Sequence, residues 1–101
     1  MHSRNVVLKE AFEKTHSDML QRSFEVEFSG TTAVTVLILG HILICANSGD
    51  SRAIVASISA DEWSITQLSV DQKPDLKNEY NRIIKSNGRV ECYKGNTIIS
   101  I

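Results

Sequence analysis

Apolar residues recur along the chain first with a helical period and then with a strand-like one. Between about residues 5 and 22, Val7, Leu8, Ala11, Phe12, Met19 and Leu20 share one stripe, with Thr15 filling the gap. Lys9, Glu10, Glu13, Lys14 and Asp18 face elsewhere. That spacing predicts an amphipathic helix, helped by Glu10 and Lys14 in the favourable i,i+4 order. Over residues 23–28 the period shortens to two, with Phe24, Val26 and Phe28 alternating with Ser23, Glu25 and Glu27, which predicts a short strand. Ser29-Gly30-Thr31-Thr32 breaks the pattern. Residues 32–39 and 42–48 are then rich in β-branched side chains and joined by Gly40-His41, the glycine-first pair that suits a type II′ hairpin turn. Apolar residues at consecutive positions predict central strands buried on both faces.

Gly49-Asp50-Ser51-Arg52 separates this hairpin from two further strand-like runs, 53–58 and 63–68, which flank the polar turn Ser59-Ala60-Asp61-Glu62. Successive short strands with tight turns predict an antiparallel meander. A Rossmann-type arrangement is excluded for want of crossover helices. Pro74 and Asp75 are start signals for a second helix, Asp75 as N-cap. Leu76, Tyr80, Ile83 and Ile84 form its stripe, Lys85 lies in the last turn, and Asn87-Gly88 supplies a left-handed stop. Residues 90–92 and 97–101 predict two more strands around Tyr93-Lys94-Gly95-Asn96. The last run ends in mid-strand, so the folding unit is expected to continue beyond it.

Length and charge narrow the function classes. A chain of 101 residues is one domain or part of one, able to bury roughly two-thirds of its unfolded surface. Its net charge of −1, from 11 basic and 12 acidic residues that intermingle, disfavours nucleic acid and anionic membranes as partners. The apolar run 33–46 is interrupted by Thr35, Gly40 and His41 and falls short of a membrane span. Cys45 and Cys92 form no Cys-x-x-Cys pair, and Cys45 lies in an apolar run where a thiol acts as a small hydrophobe. Both are expected to be reduced. With no signal peptide and no Asn-x-Ser/Thr sequon, the expected location is intracellular, cytoplasmic or nuclear. His16 has no second ligand at metal-binding spacing and reads as a boundary histidine.

On residue type alone, Asp50 after Gly49 is turn chemistry. Its company changes that reading. Ser29-Gly30-Thr31-Thr32-Ala33, then Ala46-Asn47-Ser48-Gly49-Asp50-Ser51-Arg52-Ala53, then Leu68-Ser69-Val70-Asp71-Gln72-Lys73-Pro74-Asp75, then Glu79 with Arg82-Ile83 and Asn87-Gly88-Arg89-Val90 together resemble, in order and spacing, the central section of the type 2C metal-dependent protein serine/threonine phosphatases. The resemblance implies an α+β fold, an antiparallel β-sandwich flanked by helices, of which residues 1–101 are a single partial domain lacking the N- and C-terminal catalytic motifs. It also implies hydrolysis of phosphoserine and phosphothreonine in protein substrates, with Mg²⁺ or Mn²⁺ activating the attacking water. Such hard cations are held by oxygen ligands, and a pair about 4 Å apart neutralises the phosphoryl oxygens during attack.

Carried over residue by residue, the resemblance gives Asp50 as a metal ligand and no catalytic residue. Gly49 and Ser51 shape the turn, and Arg52 is expected in a structural ion pair rather than on substrate. Residues 29–32 and 71–74, with Asp71 and Pro74, are expected as turn and packing elements, a water-mediated approach of Asp71 to the metal being the alternative. The upstream Asp-Gly-His motif and at least two downstream aspartates of the family are absent. The chain's aspartates are Asp18, Asp50, Asp61, Asp71 and Asp75. Gln72 stands where the family usually has His, Asn87 where Gly is common, and Ile101 where Arg is expected. The expectation is therefore a fragment of an active phosphatase that is inactive alone and binds divalent cations in the millimolar range at best. The alternative is a non-catalytic, phosphatase-like interaction module. An open sheet edge offers a route to a dimer.

Overall fold

The chain's two helical stripes and three turn-separated strand pairs all form in the computed structural model, which describes residues 3–93 and 95–100. In chain order the elements are α1 (Arg4–Leu20), β1 (Ala33–Leu39), β2 (Ile42–Ser48), β3 (Ile54–Ser59), β4 (Glu62–Gln67), α2 (Lys77–Lys85), β5 (Arg89–Tyr93) and β6 (Asn96–Ser100). The class is α+β, and every strand pairing among the described residues is antiparallel. The expected turn at Tyr93-Lys94-Gly95-Asn96 joins β5 to β6, with Tyr93 opposite Asn96; Lys94 and the terminal Ile101 lie outside the described residues.

The expected meander does not form. Among the described residues the strands make three separate two-stranded sheets, β1-β2, β3-β4 and β5-β6. The break between β2 and β3 has a local cause, since residues 49–53 are bound to residues 68–72 and Thr32 by backbone and side-chain bonds rather than to each other's strands. Residues 23–28 form turns and bends rather than a strand. Alternation alone cannot hold a strand that no neighbour pairs, and Phe24 and Phe28 stay exposed.

Turn chemistry follows the backbone signs. Gly40 has φ +60°, whereas His41 is not in the left-handed region, the pattern of a type II′ turn. In the second hairpin Ala60 and Asp61 both have positive φ, 50° and 62°, a type I′ pattern built without glycine. The two residue pairs are thus different solutions to the same right-handed strand twist.

Pairing register sorts the strand residues onto faces. On β1-β2, Ala33, Thr35, Ser48 and Ala46 share the face against which α1 lies, and Leu8 and Phe12 of α1 are half-buried there. The opposite face carries Val36, Ile38 and Leu43, all exposed, Ile38 at 68%. On β3-β4 one face is polar, with Ser57 and Ser64 hydrogen-bonded across the strands at 2.7 Å. Ile54, Ala56, Ile58, Trp63 and Ile65 form the other face, and Trp63 is 70% exposed. Burial of the apolar strands on both faces is therefore not realised among the described residues. Cys45 is half-buried in β2 and Cys92 exposed in β5, both as free thiols. The radius of gyration is 17.0 Å, against about 13 Å for a compact domain of this length. No helix among the described residues is long and apolar enough to cross a membrane.

Helix α2 packs against β5 and contributes the one buried apolar side chain among the described residues, Ile83, 4% exposed. Its N-cap is Leu76, without a side-chain bond, so Asp75 is not the cap. The reason is the preceding turn, in which Pro74 occupies the second position and Leu76 N–H donates to the Lys73 carbonyl at 3.0 Å. That turn places Asp75 one residue too early to cap. On the surface of α1, Lys14 pairs with Asp18 at 2.7 Å rather than with Glu10.

The C-terminus of α2 closes as the sequence suggests. Asn87 N–H donates to the Ile84 carbonyl at 3.1 Å and Gly88 N–H to the Ile83 carbonyl at 2.9 Å, the paired bonds of a Schellman motif. The left-handed residue is Asn87, with φ +60°, which a side chain larger than glycine occupies at a cost. Asn87→Gly is expected to match or raise stability, and Asn87→Ala to lower it by about 1 kcal/mol, both read from urea unfolding. Equal midpoints for Ala and Asn would show that the left-handed turn carries no strain.

Candidate functional site

Residues 47–53 and 68–72 are far apart in sequence yet share a knot of polar bonds. Leu68 N–H donates to the Ala53 carbonyl at 2.9 Å, and the buried Ser69, 5% exposed, accepts at Oγ from Ala53 N–H at 2.9 Å. Asn47 Nδ2 bridges two carbonyls, Gly49 at 3.1 Å and Val70 at 3.0 Å. Gln72 grips Gly49 twice, its N–H donating to the Gly49 carbonyl at 3.0 Å and its Oε1 accepting from Gly49 N–H at 2.8 Å. On the other side of the turn, Ser51 Oγ and Thr32 Oγ1 lie 2.6 Å apart.

The charged members complete the knot. Arg52 Nε donates to Asp71 Oδ1 at 2.9 Å and its second guanidinium nitrogen to Oδ2, a bidentate fork that Lys could not reproduce. The Arg52 hydrogen bond lowers the pKa of Asp71; partial burial opposes this, and the charges of Arg52 and Lys73 add to the lowering. The same hydrogen bond and charge raise the pKa of Arg52. Glu79 and Arg82 form a second bidentate pair on α2, at 3.0 and 2.7 Å, which holds the Glu79 carboxyl below its usual range.

Gly49 has a conformational reason to be glycine. Its φ is +108°, and a Cβ there would lie 2.5 Å from Thr32 Cγ2 and 3.3 Å from Thr32 Cα. The turn is thus held by Thr32 from one side and residues 69–72 from the other. Pro74 stands at the exit of the second segment, half-buried, before α2.

Asp50 sits in the middle of this frame. It is exposed, and none of the bonds above uses its carboxylate. It presents an oxygen donor of the kind a hard divalent cation takes. Among the described residues, however, there is no group of three or more His, Cys, Asp or Glu able to hold a metal ion. The residues present therefore supply one ligand and do not fit a complete metal centre. Asp71 is committed to Arg52, while Asp18 lies in α1, Asp61 in the β3-β4 turn and Asp75 in the turn before α2.

Sequence reading gave no bonding role to Asn47, Ser69 or Gln72. Apart from the Asn47–Gly49 bond, their partners lie 16 to 23 residues away, so no local spacing could have shown those contacts. The one signal was the concentration of small polar residues in both motif segments, more than two turns need.

With this geometry in place, comparisons with known proteins agree on one family. The protein phosphatase 2C family model matches residues 2–100. Probable protein phosphatase 2C 34 of Arabidopsis thaliana is 53% identical over 66 residues, covering 63% of this chain and 18% of that protein. Probable protein phosphatase 2C 75 of Oryza sativa subsp. japonica is 43% identical over 93 residues, covering 86% and 22%. Probable protein phosphatase 2C 73 of Arabidopsis thaliana is 40% identical over 97 residues, covering 89% and 26%. The chain spans about a fifth to a quarter of the length of these relatives. No solved structure matches it significantly.

Two expectations test the knot. Gly49→Ala should cost about 1–3 kcal/mol in unfolding free energy, and adding Thr32→Ala should restore only part of it, because the strained φ remains. Full restoration would assign the whole cost to the steric contact. The Asp71 carboxyl has a depressed pKa, so its contribution is complete above the ordinary value of 3.8 and is lost as pH falls through the folded value. Thermal midpoints of the parent and Asp71→Asn should therefore differ above about pH 4 and converge on acidification. A constant difference down to the most acid conditions would exclude the ion pair as its source.

Proposed function

The chain belongs to the protein phosphatase 2C family, and from that premise we propose that it is part of a metal-dependent protein serine/threonine phosphatase in which Asp50 is a metal ligand. The observation that carries this reading is the exposed Asp50 carboxylate, left out of the bonding of a turn whose neighbours on both sides are anchored. A frame so ordered around one uncommitted anion suits a ligand that must be held in place before the cation arrives. The substrate class is phosphoserine and phosphothreonine in proteins, and the cation Mg²⁺ or Mn²⁺, which would supply neutralisation of the phosphoryl oxygens and an activated water.

Within this chain the roles are limited. Asp50 contributes one oxygen ligand. Gly49 and Ser51 shape the turn, and Arg52, Asp71 and Pro74 hold the two loops together without touching substrate. Residues 1–101 are a partial catalytic domain, a reading supported by the exposed apolar faces at Ile38 and Trp63 and by the single carboxylate of the candidate centre. Further ligands come from outside residues 1–101, so the isolated chain is inactive. An intracellular protein with phosphorylated protein partners is the corresponding setting.

The test uses the full-length protein. Asp50→Asn should weaken Mn²⁺ binding by about tenfold or more in calorimetry, since altering even outer-shell partners of a metal costs 10–100-fold. Phosphopeptide hydrolysis at limiting metal should fall in parallel. The purified 101-residue chain should release no phosphate with Mn²⁺. Unchanged affinity in Asp50→Asn would remove Asp50 from the centre, and robust Mn²⁺-dependent turnover by the short chain would show that it needs no further ligands.

A further inference from the structure

We propose that Asn87 is a site of spontaneous deamidation, at a rate set by local opening of the turn that joins α2 to β5. It needs neither the metal nor the phosphatase reading. Asn87 is exposed and followed by Gly88, and a glycine puts no side chain in the way of attack by its own nitrogen. Once the Gly88 amide has lost its proton to hydroxide, its nitrogen bonds to Asn87 Cγ. The Cγ–Nδ2 bond breaks, and Nδ2 leaves as ammonia after taking a proton from water. Water then opens the five-membered imide on either side of the nitrogen. Attack at Cγ leaves aspartate, whereas attack at the main-chain carbonyl leaves isoaspartate, whose backbone runs through Cβ and Cγ.

The closed turn holds this reaction back. Gly88 N–H donates to the Ile83 carbonyl at 2.9 Å, beside the bond from Asn87 N–H to the Ile84 carbonyl at 3.1 Å. While its hydrogen is bound there, the Gly88 nitrogen neither loses the proton nor turns toward Cγ. Helix ends open at free energies far below that of global unfolding, so the pair reacts from the folded protein. Asn47, which precedes Ser48, differs in that it is half-buried and its Nδ2, the leaving group, is bonded to the Gly49 and Val70 carbonyls at 3.1 and 3.0 Å. The products do not suit the turn. Isoaspartate inserts a backbone carbon between the two N–H groups that close it, so both bonds cannot be kept. Aspartate puts negative charge at the negative end of α2. Ile83, whose carbonyl takes the Gly88 bond, is the buried residue of the helix that packs on β5, so conversion loosens that junction.

The experiment ages the full-length protein and its Asn87→Gly variant in mildly alkaline buffer, folded and in urea. Mass spectrometry of the peptide carrying Asn87 reads the exchange of an amide NH₂ for an OH, and amide hydrogen exchange reads the turn. Deamidation should be about tenfold slower in the folded protein than in urea, the scale of one or two lost hydrogen bonds, and the slowing should equal the exchange protection of Gly88 N–H. Asn47 should stay intact in the folded protein while Asn87 converts. Aged protein should exchange the amides of α2 and β5 several-fold faster than fresh protein, and Asn87→Gly, which keeps the closure without an amide to lose, should show no such change with age. Slowing by roughly a thousandfold or more, the scale of global unfolding, would overturn local opening as the gate. Conversion of Asn47 ahead of Asn87 would overturn the choice of site. Equal loss of protection with age in Asn87→Gly and the parent would overturn the link between deamidation and the α2-β5 junction.

Discussion

The bonds between the 49–53 turn and the 68–72 segment are the constraint on which the arrangement around Asp50 depends. β2 and β3 share no ladder, so nothing in the sheets themselves relates the first hairpin to the second. Their relation comes from Asn47, Gly49, Arg52 and Ala53 on one segment meeting Ser69, Val70, Asp71 and Gln72 on the other. Each neutral bond of this kind contributes on the order of 1 kcal/mol net, and a bidentate pair with a half-exposed arginine adds little more. Their effect comes from number and from sharing atoms: the Gly49 carbonyl accepts from two donors, and Asn47 Nδ2 serves two carbonyls. Removing one bond loosens several.

The knot lies where hydrophobic burial is scarce. The accessible surface of 8753 Å² exceeds the roughly 5,700 Å² expected of a compact chain of this mass. The second face of β1-β2 and the Trp63 face of β3-β4 are apolar and uncovered among the described residues. Patterns that would normally fill a core are present without the opposing layer. Polar bonds at the turn ends, the Schellman closure of α2 and the three hairpin turns thus carry the local order, and the strand faces remain apolar surfaces.

Much of the local structure was legible in the residues. The helical stripes, the Gly40-His41 turn, the Asn87-Gly88 stop and the order of the strands followed from periodicity and turn chemistry, because these depend on neighbours within four positions. Asp50 stood out only through its company: on residue type alone a carboxylate after Gly49 is turn chemistry, and the motif segments around it, in order and spacing, gave the ligand reading. Three of the expectations that failed did so where a partner outside the segment decides. Residues 23–28 alternate but have no strand to pair with, Asp75 is displaced from the cap by the Pro74 turn, and β2 and β3 do not pair because residues 49–53 are bonded elsewhere.

The sequence by itself determined which segments are helix or hairpin, which residues carry charge, and that one carboxylate sits in a glycine turn. Only the tertiary structure decided that Arg52 forks onto Asp71, that Gln72 holds the Gly49 peptides, and that Asp50 stands apart from every bond of the knot. The physical reason is range. Periodicity and turn preference are set by φ and ψ limits over a few residues, whereas these contacts join groups 16 to 23 residues apart, whose meeting depends on how whole hairpins are placed.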